Sequence, residues 1–271
     1  MNAARPKIGV FDSGFGGLTV LKALLQRLPS LDYLYLGDTA RLPYGSKSQA
    51  TIARYALSST GFLIDQGAEF LVIACNTASA LALDEIRAST PLPVLGVIDT
   101  GVHEARNGTR TRDILVIGTD ATVSSHAYAR AGRDLGLRAI EKACPLLVPL
   151  VEEGWTDHPV TTEVVRIYLS ELLSEAEKAG HKPDTLVLGC THYPLLRLTI
   201  EAAVPATVRV IDSADAMADR VARTLDSNPG EAGTPGERRF FATDSVEKFQ
   251  NLGTRFLGSA IEKVKLVDFG G

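Results

Sequence analysis

The sequence predicts an α/β protein of two pseudo-symmetric domains, each a mainly parallel sheet flanked by helices. Short apolar, β-branched runs alternate with longer helical patterns along the chain. Two segments also repeat each other, because residues 70–78 and 185–193 each contain an apolar run, a small residue and a cysteine followed by polar side chains. Strands separated by helices favour parallel sheets covered on both faces. The duplicated cysteine unit indicates two related halves that face one site.

The first half begins with a predicted strand and continues with alternating helices and strands. Predicted strands cover 7–11, 33–36, 70–74 and 94–97, and apolar residues recurring every three or four positions predict helices over 18–28, 48–66 and 77–88. A polar loop at 107–112 is the predicted crossover between the halves.

The second half repeats the alternation. Predicted strands cover 114–117 and 186–188, with helices from about 124, over 160–179 and over 195–204. A Pro- and Gly-rich stretch at 226–236 predicts an exposed, mobile connection, followed by a strand at 239–242, a helix at 246–257 and a strand at 263–267. Residues 7–14 and 113–122 open the halves in similar ways. Ligand-binding groups should therefore gather in the cleft where the carboxyl ends of both sets of strands meet.

Composition and charge restrict the class of protein. The chain has 271 residues, 45% hydrophobic and 22% charged, which fits a globular protein with a sizeable core. A net charge of −4 without a basic block argues against nucleic acid as a partner. No apolar run reaches the roughly 18 residues of a membrane span, and the start lacks a signal-peptide core. We expect a cytoplasmic protein without a membrane partner.

The three cysteines are expected to be reduced thiols. Cys75, Cys144 and Cys190 cannot all pair within one chain, and neither a Cys-x-x-Cys motif nor clustered histidines indicate a metal site. Cys144 lies between Ala143 and Pro145 and is expected to be a small buried hydrophobe.

Cys75 and Cys190 are the candidate reactive thiols. Each follows a predicted strand and precedes a helical stretch, where unpaired N–H groups and the helix dipole are expected to lower a thiol pKa from about 8.5 toward neutrality. Taken alone, Cys75 fits a core residue equally well, with Asn76 and Thr77 as helix caps. The second occurrence, with Thr191 beside Cys190, favours a function for the pair.

Further polar residues follow the predicted strands. His192, with an ordinary pKa of about 6.5, suits a proton shuttle beside Cys190, although a capping or packing role remains open. Asp12 fits an ammonium ligand or a partner acid/base better than a phosphate cradle, because its charge repels phosphate and the Walker lysine is absent; a helix cap is the alternative.

The loop after the second predicted strand and a pair of glutamates give weaker indications. In the loop, Tyr44 and Gly45 offer a hydroxyl and backbone N–H groups to a ligand, or form a plain turn. Arg41 either binds a carboxylate or pairs with Asp38. Residues 152–153, both glutamate, are of a kind that is usually solvated.

Four motifs in order, over 12–14, 37–45, 74–78 and 189–194, resemble the cofactor-independent aspartate/glutamate racemase family. This resemblance spans most of the chain and implies interconversion of L- and D-glutamate, with the D form feeding bacterial peptidoglycan. It implies no cofactor, glutamate as the ligand, and Cys75 and Cys190 as the two acid/base residues. A homodimer is compatible with it. A racemase of aspartate or another acidic amino acid, a thiol redox protein and a carboxylate-binding module remain the alternatives.

The resemblance also assigns supporting residues and domain bounds. Asp12, His192 and Glu152 would assist the thiols, with Glu153 as the neighbour that competes with Glu152. Implied substrate contacts are Asp12, Ser13, Tyr44, Gly45, Asn76, Thr77, Thr191 and His192, joined by Thr119 and Thr122 from the second half. The implied domains are 1–99 with 210–271, and 100–209.

Overall fold

The computed structural model describes residues 5–226 and 234–269, and within them the chain forms two parallel sheets. The strands are β1 (Lys7–Asp12), β2 (Asp32–Gly37), β3 (Phe70–Ile73), β4 (Val94–Gly96), β5 (Asp113–Gly118), β6 (Arg138–Ala143), β7 (Thr185–Gly189), β8 (Arg209–Ile211), β9 (Arg238–Ala242) and β10 (Val264–Leu266). The α-helices are α1 (Leu18–Arg27), α2 (Gln49–Asp65), α3 (Asn76–Leu81), α4 (Leu83–Ser89), α5 (Val97–Gly108), α6 (Asp120–Ser124), α7 (Ala127–Asp134), α8 (Leu147–Glu152), α9 (Pro159–Lys178), α10 (Arg197–Ala203), α11 (Ala214–Thr224) and α12 (Val246–Leu257).

The strand order confirms the predicted α/β class with two mainly parallel sheets. The first sheet runs β10-β9-β2-β1-β3-β4 and the second β6-β5-β7-β8. Every strand pair in the described residues is parallel. The C-terminal strand β9 pairs with β2, setting Phe240 opposite Tyr35, so the end of the chain completes the first sheet.

Alternate residues of the first sheet pack into two separate core clusters. Val10 and Val72 lie in the cluster on one face, while Phe11 and Ile73 lie in the other. This two-residue period with both faces apolar is what buried parallel strands require. Helices cover both faces, and the polar residues that follow the strands are therefore left at the carboxyl edge.

Several element boundaries differ from the prediction for local reasons. The strand predicted to end at 97 ends at Gly96, because Val97 starts α5. The helix expected from about 124 begins at Asp120, where the Thr119 hydroxyl caps it by accepting from the Thr122 N–H. The helix predicted over 77–88 divides at Ala82 into α3 and α4.

Some elements of the structure were not predicted, and one predicted connection lies mostly outside the described residues. The strands β6 and β8 and the helices α5 and α11 had no predicted counterpart, and α5 extends into the loop expected at 107–112. The connection predicted over 226–236 lies mostly outside the described residues. Because β8 pairs with β7, the strand at 209–211 is part of the second sheet; the division of domains at 210 stays a prediction.

Candidate active site

A cavity of about 400 Å³ lies where the two sheets present their carboxyl ends to each other. Cys75, after β3, and Cys190, after β7, both line it, so the duplicated turns face one space. The other predicted residues that line the cavity are Ser13, Tyr44, Gly45, Asn76, Thr77, Thr119, Glu152, Thr191 and His192. Asp12 and Thr122 are buried behind the cavity wall.

The Cys75 sulfur is held at the start of α3. Its Sγ accepts from the Ala78 N–H at 3.4 Å and lies 3.3 Å from the Ser13 hydroxyl. Burial, followed by the nearby Asp12 carboxylate, raises the pKa of the Cys75 thiol to about 12. The expected lowering of this pKa by the helix start is therefore wrong, because desolvation outweighs the N–H donors.

Asp12 is enclosed beside this thiol. One of its carboxyl oxygens, Oδ2, accepts from the Gly14 N–H at 2.9 Å, while Oδ1 is buried without a partner. Burial raises the pKa of Asp12 above its ordinary value. A carboxyl group in this position favours its protonated form more than an exposed aspartate does.

A line of charged side chains leads away from Cys190. Its Sγ lies 3.9 Å from Nδ1 of His192, whose Nε2 is 3.3 Å from Oε1 of Glu152. The other Glu152 oxygen is 3.3 Å from the ammonium group of Lys248, on α12 of the first half. Lys248 was not predicted as a site residue, because only the fold brings it to Glu152.

The charges along this line set its protonation. Burial lowers the pKa of His192, but the Cys190 and Glu152 contacts outweigh it and raise that pKa to about 10. His192 is thus an imidazolium at neutral pH, rather than the shuttle with a pKa of about 6.5 that the sequence predicted. Burial opposes ionisation of Glu152 as well, yet His192 and then Lys248 lower its pKa overall.

The structure distinguishes the two adjacent glutamates. Glu152 ends α8, lines the cavity and contacts His192, whereas Glu153 follows the helix and is exposed. The geometry therefore selects Glu152 as the acid beside His192.

A buried carboxylate lies behind Tyr44, which lines the cavity. Asp38, fully buried, accepts from the Tyr44 hydroxyl, from Arg41 Nε at 2.7 Å and from the Thr243 hydroxyl at 2.9 Å. Of the two alternatives for Arg41, its position fits pairing with Asp38. The position of Asp38 directly after β2, at the same edge of the sheet as Asp12 at the end of β1, was the available signal for its importance.

Hydroxyl groups join the two halves at the cavity. Thr77 from the first half lies 3.0 Å from Thr119 and 3.3 Å from Thr122 of the second, and Asn76 accepts from the Tyr128 hydroxyl at 2.7 Å. The Cys75 turn is thereby tied to the second half by side-chain hydrogen bonds.

Within residues 5–226 and 234–269, no group of three or more His, Cys, Asp or Glu side chains is arranged to hold a metal ion. None of the helices in these residues has the length and apolar character needed to cross a membrane.

Comparison with known proteins identifies the family of the chain. The family model described as Asp/Glu/Hydantoin racemase matches residues 8–221. A glutamate racemase of Koribacter versatilis (strain Ellin345) is 51% identical over 100% of both chains, and one of Syntrophus aciditrophicus (strain SB) is 48% identical over 98% of this chain and 99% of its own. The crystal structure of glutamate racemase from Francisella tularensis in complex with D-glutamate is 36% identical, with a TM-score of 0.87 and 98% of each chain covered. The chain therefore belongs to the Asp/Glu/hydantoin racemase family.

Proposed function

We propose that this protein is a glutamate racemase that moves the α-proton between two cysteines. The observation that carries the proposal is the placement of Cys75 and Cys190, from different halves of the fold, on the wall of one cavity of about 400 Å³. Two thiols on opposite sides of one stereocentre suit removal of a proton from one face and delivery to the other.

Glutamate is the proposed substrate in both enantiomeric forms. The curated relatives are glutamate racemases, and the Francisella tularensis structure contains D-glutamate. Hydroxyl and amide groups of Ser13, Asn76, Thr77 and Thr191 line the cavity and can hydrogen-bond the two carboxylates.

In the proposed reaction one cysteine thiolate takes the α-proton and the other cysteine thiol returns its own proton to the opposite face. On the second side, the His192 imidazolium stabilises the Cys190 thiolate. Hydrogen-bond donors fixed along the cavity wall stabilise the charge that grows on the α-carboxylate. Placement of both sulfurs against one bound substrate lowers the barrier further by proximity.

The third cysteine provides a matched control for the test. Cys75→Ala and Cys190→Ala should each reduce racemisation by about 10³-fold or more, because each removes one of the two acid/base groups. Cys144→Ala should keep turnover, since Cys144 is buried outside the cavity. Circular dichroism of L- and D-glutamate, with L-aspartate as the competing substrate, measures the change.

Deuterium exchange separates the two bases. In heavy water, each single variant should retain exchange from one enantiomer only, and the two variants should act on opposite enantiomers. Full racemisation by either Cys75→Ala or Cys190→Ala contradicts the two-cysteine mechanism, and faster turnover of aspartate contradicts the substrate.

We also propose that the D-glutamate supplies peptidoglycan synthesis in the cytoplasm, as the family resemblance implies. Deletion of the gene should make growth depend on added D-glutamate, and growth without it would contradict this role. A homodimer stays a prediction that light scattering checks.

A further inference from the structure

The charged line behind Cys190 ends in a residue that does not reach the cavity. Lys248 Nζ lies 3.3 Å from Oε2 of Glu152, and Lys248 is absent from the cavity wall. Glu152 belongs to α8 of the second half, whereas Lys248 belongs to α12, which follows β9 of the first sheet. The ion pair therefore crosses between the halves.

Further contacts hold α12 against the part of the second half that contains Glu152 and His192. The Lys248 ammonium lies 5.6 Å from the centre of the Phe15 ring, and the Phe256 ring meets the His192 imidazole edge to face at 5.1 Å. Arg255 packs so closely on Gly154 that a Cβ there would collide with its guanidinium group. Helix α12 therefore contacts His192 through the Phe256 ring and Glu152 through the Lys248 ion pair.

We propose that Lys248 is a positioning residue. It holds Glu152 against His192 and so keeps the His192 imidazolium in place for proton transfer at Cys190. This inference rests on the proposed two-cysteine racemase. With the Lys248 ammonium in place, each Glu152 oxygen has its own cation and the carboxylate is fixed between them. Without it, Glu152 either adds an uncompensated negative charge near Cys190 or turns away from His192. Both changes disfavour the Cys190 thiolate.

Alkylation of the two cysteines tests this without requiring turnover. Purified full-length protein is treated with iodoacetamide, and peptide mass spectrometry gives the rates at Cys190 and Cys75 in one sample. Half-exposed ion pairs contribute about 0.2–1 kcal/mol, so Lys248→Met should slow alkylation of Cys190 by up to about fivefold. The Cys75 rate should not change.

Two further variants distinguish positioning from a general loss of structure. Lys248→Arg keeps a cation at the position and should restore the Cys190 rate, whereas Lys265→Met removes an exposed lysine from β10 and should leave both rates unchanged. The racemisation kcat of Lys248→Met should fall by a similar factor to the Cys190 rate, while the KM for glutamate changes little.

Equal slowing at both cysteines, an unchanged Cys190 rate, or failure of Lys248→Arg to restore it would overturn the inference. Failure of the proposed function is recognised separately, by full racemisation in Cys75→Ala or Cys190→Ala or by faster turnover of aspartate than of glutamate.

Discussion

The Cys75 turn and the Cys190 turn differ most in the groups around their sulfur atoms. Cys75 caps a helix and meets the Ser13 hydroxyl, with the buried Asp12 carboxyl behind it. Cys190 instead faces the His192 imidazolium, which is backed by Glu152 and Lys248.

This difference shows that two similar strand-and-cysteine segments can have different charged groups beside their sulfur atoms. Burial and a neighbouring carboxylate raise the pKa of the Cys75 thiol to about 12, whereas Cys190 has the His192 imidazolium beside it instead of a carboxylate. A two-base racemase needs one acid and one base at any moment. The two turns therefore place different groups beside their sulfurs, a carboxyl group near Cys75 and an imidazolium near Cys190.

The largest effect on kcat is expected when the group that assists each cysteine is removed. His192→Asn should lower kcat by about 10²- to 10⁴-fold, because Cys190 loses the neighbouring cation that assists proton transfer there. Ser13→Ala should cost about tenfold or less, the value of one hydrogen bond. Circular dichroism with both enantiomers gives kcat. Similar losses in the two variants would mean that the turns are not tuned differently.

A smaller effect is expected from crowding the contact between the loop after β1 and the Cys190 turn. A Cβ on Gly16 would overlap the Thr191 hydroxyl and lie 2.7 Å from His192 Nδ1. Gly16→Ala should therefore displace the Cys190 turn and reduce kcat by about 100-fold, since a shift near 1 Å suffices for such a loss.

Gly61→Ala on α2 is the matched control, because a Cβ there meets no atom within 4 Å. It should keep full activity and gain up to about 1 kcal/mol of stability from helix propensity. Activity close to wild type in Gly16→Ala would contradict the tight packing of the loop after β1 against the Cys190 turn.

The charge on His192 also predicts how stability depends on pH. Its folded pKa, about 10, lies above the unfolded value. The stabilisation from the charged form is therefore complete below about pH 6.5 and is lost as pH rises toward 10. The difference in Tm between wild type and His192→Asn should shrink between pH 6 and pH 10. A difference that is constant or grows with pH would show that His192 is neutral in the folded protein.

The smallest effect concerns the support of the Cys190 turn. The Tyr193 hydroxyl lies 3.0 Å from the Gly118 carbonyl oxygen and 2.9 Å from that of Cys144. Tyr193→Phe leaves these buried oxygens without that donor and should reduce the free energy of unfolding by about 1 kcal/mol. Urea denaturation measures it. A loss confined to kcat, with unchanged stability, would contradict a purely supporting role.

The cysteine turns could be predicted because their information is local. An apolar strand, a cysteine and polar residues at 70–78 and 185–193 define both the element and its edge of the sheet. The edge strand β6 was missed since its sequence, Arg-Ala-Ile-Glu-Lys-Ala, mixes charges with few apolar residues and is only partly buried. β8 was missed because a strand of only three residues gives little sequence pattern.

Contacts between segments that are distant in sequence limit how much of the site could be predicted. Asp38 meets Thr243, and Glu152 meets Lys248, across long stretches of chain that no spacing rule connects. The protonation of His192 and Cys75 was mispredicted for the same reason. Their pKa values depend on burial and on neighbours that exist only in the folded protein.

The return of β9 to the first sheet has a consequence for biosynthesis. Until residues 238–242 leave the ribosome, β2 presents an open edge, although all four strands of the second sheet have already been translated. Lys248 emerges later still. A growing polypeptide therefore contains both cysteines well before β9 can complete the first sheet and α12 can pack against the second half.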